Sequence, residues 1–205
     1  MHYIPSVSIP TYEGNKNFDI YSMLLYERII FISGEITADL ASLIVSEILY
    51  LEAMSEEEKI TIYINSPGGE VNAGLAIYDA IRHCKCPVST IGTGLCASMG
   101  AIILSSGDEG LRYAYENCEI MIHQPLGGSE GQVSDLEIMT KRFIYLKNKL
   151  TSILVENTKQ ETKKVTQDCD RNFFLSSEEA KKYHLIDDIL ISKSSKEKSL
   201  TPCNK

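Results

Sequence analysis

Hydrophobic positions along the chain follow two alternating patterns, short continuous apolar runs and longer stretches with one apolar face at helical spacing. This alternation is typical of α/β folds in which helices connect the strands of a largely parallel sheet. The apolar runs predict strands at residues 28–33, 60–65, 88–92, 119–123 and 188–191. Helical spacing predicts a helix at residues 72–83 and another around residues 40–51, with a buried face of Leu40, Leu43, Ile44, Ile48 and Leu51.

The longest predicted helix spans residues 133–158 and follows a glycine-rich segment at residues 126–131. Its apolar side chains repeat at alternating steps of three and four, as in helices that pack along their whole length against a partner, and they are Leu136, Met139, Phe143, Leu146, Leu150 and Ile153. Two interpretations are open: a core helix that lies across the sheet, or a helix at a subunit interface. Further along, Ser176 and Glu179 have the spacing of a capping box, which predicts another helix start.

Composition excludes several classes of protein. The chain has 205 residues, of which 43% are hydrophobic and 23% are charged, values typical of one globular domain. A net charge of -8 argues against a nucleic-acid partner, since binding phosphates needs clustered Lys and Arg. The N-terminus lacks the basic and apolar regions of a secretory signal, and no apolar segment reaches the roughly 20 residues of a membrane span. We therefore expect a cytoplasmic protein that binds neither nucleic acid nor membrane.

The six cysteines are scattered along the chain, which favours free thiols in a reducing compartment over a disulfide framework. Cys84 and Cys86 stand beside His83, but no second pair of ligands follows to complete a metal site. Cys96 lies two residues before a candidate serine nucleophile and is either an alternative nucleophile or a small buried residue. The sequence predicts no metal and no cofactor.

Ser98 is that candidate nucleophile. It follows the predicted strand at residues 88–92 and a predicted turn at Gly92-Thr93-Gly94, and it opens a short helix of small residues. Free N–H groups at a helix start, that of Met99 among them, can stabilise a developing negative charge. The alternative interpretation is that Ser98 is only the N-cap of that helix.

Two further segments carry candidate site residues. Gly68 and Gly69 end a strand and leave backbone that a substrate can approach closely, unless they only form a tight turn after Pro67. His123 ends the predicted strand at residues 119–123, where its ring can project toward Ser98 as a general base. The alternative is an ordinary hydrogen-bonded structural histidine.

Three motifs stand in order along the chain: Ser66-Pro67-Gly68-Gly69, Ala97-Ser98-Met99-Gly100-Ala101 and Met121-Ile122-His123-Gln124-Pro125-Leu126-Gly127-Gly128. In neighbouring residues and spacing, the chain resembles the proteolytic subunits of Clp proteases (ClpP), serine peptidases with a crotonase-like α/β fold, from about residue 18 to residue 191. The resemblance implies that Ser98 is the nucleophile, His123 the general base, and the N–H groups of Gly69 and Met99 the oxyanion hole. It also implies a substrate-binding set of Gly68, Gln124, Pro125, Leu126 and Gly127.

The same resemblance implies two stacked seven-membered rings that enclose a chamber and receive unfolded polypeptides from a Clp-family AAA+ ATPase. The helix at residues 133–158 would then be a protruding handle between the rings, and a strand near residues 126–131 would bind the substrate as an added strand. Residues 1–17 would line the axial pore, and residues 192–205 form a polar tail that we expect to be disordered. The resemblance also implies two contact surfaces: an inter-ring contact of Asp170 and Arg171, and an ATPase docking pocket of Leu49, Tyr63 and Tyr113.

One position departs from the family motif, because Asn172 stands where an aspartate completes the triad. Its carbonyl oxygen can orient His123 but supplies no charge for the imidazolium formed during attack, so we expect weak intrinsic activity. Asp168 and Asp170 are nearby acids that offer a substitute. His184 stands where relatives carry a helix C-cap glycine, which predicts a local backbone adjustment there.

Two other functions are weighed against the peptidase. The chain is alternatively a structural or regulatory ring subunit that co-assembles with an active ClpP paralogue, an interpretation that Asn172 motivates. An acyl-CoA enzyme of the crotonase type would also place backbone donors near a glycine pair, but it has no need for both Ser98 and His123.

Overall fold

The computed structural model describes residues 4–12 and 14–192, which form nine strands and seven helices. The first part of the chain contains β1 (Ser6–Thr11), β2 (Gly14–Asp19), α1 (Ile20–Tyr26), β3 (Ile29–Ser33), α2 (Ala38–Met54), β4 (Ile60–Ser66) and α3 (Val71–His83). The middle contains β5 (Val88–Ala97), α4 (Met99–Leu104), β6 (Arg112–Tyr115), β7 (Glu119–Ile122) and α5 (Val133–Thr158). The last part contains α6 (Thr162–Asp168), β8 (Phe173–Ser176), α7 (Ser177–Lys182) and β9 (Asp188–Leu190).

The main sheet is parallel in the order β3-β4-β5-β6-β9, which confirms the α/β prediction. β5 changes partner along its length: residues 90–92 pair with β6, whereas residues 95–97 pair with β7. β7 pairs in turn with β8, in the antiparallel direction. Ser98 directly follows β5 and His123 directly follows β7, so this change of partner brings both residues to the same edge of the sheet.

Isoleucine side chains dominate the core, and alternate positions of β3 and β4 are fully buried in one hydrophobic cluster with residues of α2 and α3. The buried face of α2 is narrower than the sequence predicts, because it contains Ala41, Ile44, Ile48 and Leu51. The prediction that Leu43 is buried is wrong, since 55% of its surface is exposed. Leu43 instead lines a groove between α2 and the α1–β3 region.

The turn predicted at Gly92-Thr93-Gly94 is also wrong, because these residues lie within β5. Between the pairs Ile64↔Gly92 and Ser66↔Cys96, β5 has three residues where β4 has one, so two extra residues form a bulge. The side-chain oxygen of Asn65 accepts a hydrogen bond from Leu95 N at 3.2 Å. This bond pairs a backbone N–H that has no backbone acceptor at the bulge. The strand therefore continues to Ala97 and carries Ser98 to the sheet edge.

The bounds predicted for the longest helix are confirmed, and the two halves of α5 differ in burial. Leu146, Leu150 and Ile153 in the second half are buried, and α5 packs against α4 and α6. In the first half, Phe143 is only half-buried and Ile138 is 62% exposed, so this half projects from the rest of the subunit. The second half of α5 therefore belongs to the core, although it packs against helices, whereas the first half lies outside the core.

The sequence analysis missed the antiparallel pairing of β1 with β2 and the short helix α1, whose N-cap Asp19 accepts a hydrogen bond from Ser22 N. The capping box at Ser176 and Glu179 is confirmed as the start of α7. The predicted disordered tail lies, from residue 193 onward, outside the described residues. Within residues 4–12 and 14–192, no helix has the length and apolar character needed to cross a membrane.

Candidate active site

Ser98 is held in an unusual backbone conformation at the junction of β5 and α4. Its φ is 56° and its ψ is −120°, a combination that residues with a side chain rarely adopt. Its N–H donates to Met121 O at 2.8 Å, and its carbonyl accepts from Ala101 N and Ile102 N. Ser98 occupies the N-cap position of α4, as the alternative interpretation expects, but its hydroxyl makes no capping bond, so the side chain has no capping role. Backbone strain of this kind is concentrated at functional sites.

Gly68 and Gly69 lie directly against Ser98, and both have positive φ angles. A methyl group built on Gly68 would lie 2.6 Å from Ser98 Cβ and 3.1 Å from Met99 N, so only glycine fits there. A methyl group on Gly69 would overlap the backbone of Ile36. Within the described chain, the N–H groups of Gly69 and Met99 donate to no acceptor. Two free donors therefore stand beside the serine, as an oxyanion hole requires.

His123 contacts Asn172 through its ring. His123 Nδ1 lies 3.1 Å from Asn172 Oδ1, a normal hydrogen-bond distance. An amide oxygen can only accept, so in this arrangement Nδ1 carries the proton and Nε2 is left as the basic nitrogen. His123 thus has an orienting partner, but that partner is neutral.

Ser98 and His123 line one cavity of about 220 Å³ together with Gly69 and Met99. Among the described residues, Ser98 Oγ and His123 form no hydrogen bond with each other. Catalytic hydrogen bonds are often longer in the absence of substrate and tighten in the complex. The other residues that line this cavity are mostly apolar, namely Pro67, Val71, Ile102, Ile122, Pro125, Leu126, Leu150 and Leu154.

Neither nearby acid takes the place of a triad aspartate. The Asp168 carboxylate accepts from Lys164 Nζ at 2.6 Å and from the Tyr183 hydroxyl at 2.8 Å, so it is engaged away from His123. Asp170 is exposed, and its carboxylate oxygen is 3.5 Å from Gln124 Nε2. The position opposite His123 Nδ1 is occupied by Asn172 itself.

The residues predicted to bind substrate are divided between two environments. Pro125 and Leu126 line the cavity of Ser98. The Gln124 side chain instead donates to Asp170 O at 2.9 Å. A methyl group on Gly127 would lie 2.5 Å from Phe143 Cε1, so this glycine packs against α5. Residues 126–131 form no strand in the isolated chain, because no neighbouring strand is there to pair with.

The apolar wall of the cavity was not found by sequence reasoning. Val71 comes from α3, Ile102 from α4, and Leu150 and Leu154 from α5, so the wall is assembled from three separate helices. No local motif marks these residues, since each reads as an ordinary core position. Their common function becomes visible only from the tertiary structure.

The cysteines near the site have no catalytic geometry. Cys96 is fully buried and donates to Ile64 O at 3.3 Å, and contact with Cys118 together with burial raises its thiol pKa well above the usual value. A neutral buried thiol is a poor nucleophile, so Cys96 is not an alternative to Ser98. Cys84 and Cys86 form no metal-binding group with the His, Cys, Asp and Glu residues of the described chain.

Among the residues predicted to meet an ATPase or a second ring, Leu49, Asp170 and Arg171 are exposed, whereas Tyr63 and Tyr113 are half-buried. Leu49 is 57% exposed on α2, and Tyr63 stacks on Phe31 with ring centroids 5.3 Å apart. Tyr63 and Tyr113 share a row of the sheet, on either side of a β5 residue. None of the described cavities contains Leu49 together with either tyrosine. Asp170 and Arg171 are both exposed beside Asn172.

A comparison with protein-family models agrees with this geometry. The model described as Clp protease matches residues 12–193, which is most of the chain. Proteins of that family are serine peptidases that generally form ringed oligomers and act with AAA+ ATPases. The motifs, the parallel α/β fold and the shared cavity of Ser98 and His123 all lie within the matched region, and the chain belongs to the Clp protease family.

Proposed function

We propose that this chain is a serine endopeptidase subunit of a Clp-type compartmental protease, with weak activity on its own. The observation that carries the proposal is the site itself: Ser98, two free backbone donors and His123 line one cavity, and His123 Nδ1 is bonded to an orienting amide. The apolar wall of that cavity fits an apolar substrate side chain next to the bond to be cleaved.

In the proposed reaction, Ser98 Oγ attacks the peptide carbonyl while His123 Nε2 takes its proton. The N–H groups of Gly69 and Met99 then bind the oxyanion. The tetrahedral intermediate collapses with breakage of the C–N bond, and the imidazolium returns the proton to the leaving amine. A water molecule, deprotonated by the same histidine, hydrolyses the acyl-enzyme to release a carboxylic acid and regenerate the Ser98 hydroxyl.

Asn172 is the reason for weak activity in this proposal. Its oxygen holds the ring of His123, but an amide cannot stabilise the positive charge that the ring acquires during attack. In addition, a rotated amide would present its N–H₂ group to Nδ1, which would favour the tautomer in which Nε2 carries the proton. An aspartate would avoid both effects, because its carboxylate is negatively charged and both of its oxygens are acceptors.

The assembly we propose consists of two seven-membered rings, joined by the projecting half of α5 and by contacts of Asp170 and Arg171. The substrate is an unfolded polypeptide that adds as a strand beside residues 126–131, where backbone groups are unpaired in the described chain. A Clp-family AAA+ ATPase would dock its hydrophobic loops at the surface that carries Leu49, Tyr63 and Tyr113. The exposed apolar surface of Leu49 supports this assignment.

The test is labelling of the purified full chain with a serine-directed fluorophosphonate, followed by peptide mapping. We expect labelling at Ser98, loss of labelling in Ser98→Ala, and slow cleavage of fluorogenic peptides that the same substitution abolishes. Labelling at another serine, or peptide cleavage that survives Ser98→Ala, would refute the proposed nucleophile.

Asn172 also supports a second candidate function, a ring subunit that is almost silent alone and co-assembles with an active paralogue. Native mass spectrometry of the chain alone and mixed with such a paralogue distinguishes the two. The second function predicts mixed tetradecamers in which Ser98→Ala leaves the total activity unchanged. The first predicts that Ser98→Ala reduces it.

A further inference from the structure

Gln124 makes two hydrogen bonds to the segment that leads to Asn172. Its backbone N–H donates to Cys169 O at 2.6 Å, and its side-chain Nε2 donates to Asp170 O at 2.9 Å. Cys169 is itself fixed, since it is 4% exposed and its N–H donates to Val165 O at the end of α6. One residue next to His123 thus bonds to two residues that lie within three positions of Asn172.

We propose that Gln124 is a positioning residue that holds the segment 169–172 so that Asn172 Oδ1 meets His123 Nδ1. The inference rests on the proposed function, because it concerns the same catalytic histidine. It assigns the Gln124 side chain to this task and not to the substrate, because its amide nitrogen already donates to Asp170 O and is 3.5 Å from the Asp170 carboxylate.

The neutral Asn172 makes this bond important. Asn172 is exposed, and its bond to His123 is a neutral hydrogen bond, which is weaker than the charged bond that an aspartate would make. On its C-terminal side the segment is held by the β7–β8 ladder, which begins at the pair Ile122↔Phe173. On its N-terminal side the segment is bonded to Gln124, the residue that follows His123. Without charge attraction, the alignment of Asn172 depends on these two attachments.

The experiment measures the second-order rate constant for fluorophosphonate labelling of Ser98 in the full, assembled chain. Gln124→Met keeps the length of the side chain and removes its donor, and Gln124→Glu places a carboxylate against Asp170 O. We expect Gln124→Met to slow labelling by roughly five- to tenfold, the effect of one lost hydrogen bond, and Gln124→Glu to slow it further. For peptide substrates the loss should fall on kcat, with KM nearly unchanged.

The deciding measurement repeats Gln124→Met in an Asn172→Ala background. If Gln124 acts through Asn172, its substitution should then change the labelling rate by less than about twofold, because the oriented group is gone. The matched control is Gln160→Met, which removes another glutamine-to-carbonyl bond, from Gln160 Nε2 to Tyr183 O at 3.2 Å, and should leave labelling of Ser98 unchanged.

Three outcomes would overturn the inference. An equal loss in the presence and absence of the Asn172 side chain would show that Gln124 acts by another route. A rise in KM for peptides with unchanged labelling would show that Gln124 contacts the substrate. Failure of Ser98 to react in every background, in chains that are folded and assembled, would refute the proposed function, and with it this inference.

Discussion

Replacement of Asn172 by aspartate should raise the peptidase activity of this chain. The new carboxylate oxygen would occupy the place of Asn172 Oδ1, 3.1 Å from His123 Nδ1, and would face the imidazolium formed during attack. Two unit charges about 4 Å apart interact by about 4 kcal/mol at an effective dielectric constant of about 20, and by about 1 kcal/mol in bulk water. Because Asn172 is exposed in the subunit, we take an intermediate stabilisation of about 2–3 kcal/mol.

At about 1.36 kcal/mol per tenfold change, that stabilisation corresponds to an increase in kcat of about 30- to 150-fold. The increase is smaller than the roughly 10⁴-fold effect of the reverse substitution in a fully buried triad, since solvent screens the charge here. The assay is hydrolysis of a fluorogenic peptide by the assembled full chain. KM should change little, because the aspartate stabilises the transition state and does not touch the substrate.

Two variants control this measurement. Asn117→Asp adds the same charge at another exposed asparagine and should leave kcat unchanged. Asn172→Ala removes the acceptor and should lower the rate below that of the wild type. A gain of less than about threefold for Asn172→Asp, in rings of unchanged native mass, would refute the reasoning that the missing charge limits this subunit.

Three further predictions concern the fold and the substrate-binding segment. His184 has φ 65° at the C′ position after α7, where its N–H donates to the carbonyl two residues before the C-cap, as in a Schellman motif. Because glycine adopts this conformation without strain, His184→Gly should raise the free energy of unfolding, measured with urea, by about 0.5–1 kcal/mol. His184→Ala keeps a Cβ and should not raise it. Burial alone would raise the pKa of Asp187, but hydrogen bonds and charge from Arg112 lower it below the usual value. The pair of Asp187 and Arg112 therefore stabilises the fold at neutral pH, and this stabilisation is lost as pH falls below about 4. Asp187→Asn should lower the free energy of unfolding by about 2 kcal/mol at pH 7 and should flatten its dependence on pH in the acid range. An unchanged dependence on pH in that range would contradict the assignment. Gly127→Ala would place a methyl group 2.5 Å from the Phe143 ring and should raise KM for peptides several-fold, and a second substitution, Phe143→Leu, should restore it if the clash is the cause.

Much of the architecture could be predicted from the sequence because it depends on local regularities. The bounds of α5 follow from an apolar repeat that matches the helical period, and the start of α7 follows from two residues that cap it. Ser98, His123 and Asn172 were found because each lies in a short motif with a chemical purpose. The prediction of a backbone adjustment at His184 is wrong, because His184 keeps the positive φ that a glycine would adopt at the end of a helix.

The errors occurred where a local pattern had more than one solution. A Gly-Thr-Gly sequence is compatible with a turn or with a bulge, and the pairing of β5 with Asn65 on β4 decided for the bulge. Leu43 lies at the edge of the apolar face of α2, and only the position of α2 against the sheet left it exposed.

The sequence alone therefore determined the class of fold and the long helix, and it singled out the three side chains that we propose to react or to orient. The tertiary structure decided how they meet: β5 pairs with β7 beyond its bulge, three helices close the apolar cavity, and Gln124 bonds to the segment before Asn172. The physical reason is that periodicity and capping act over a few residues. Strand order and side-chain contacts, in contrast, join positions far apart in the sequence and depend on the packing of the whole core.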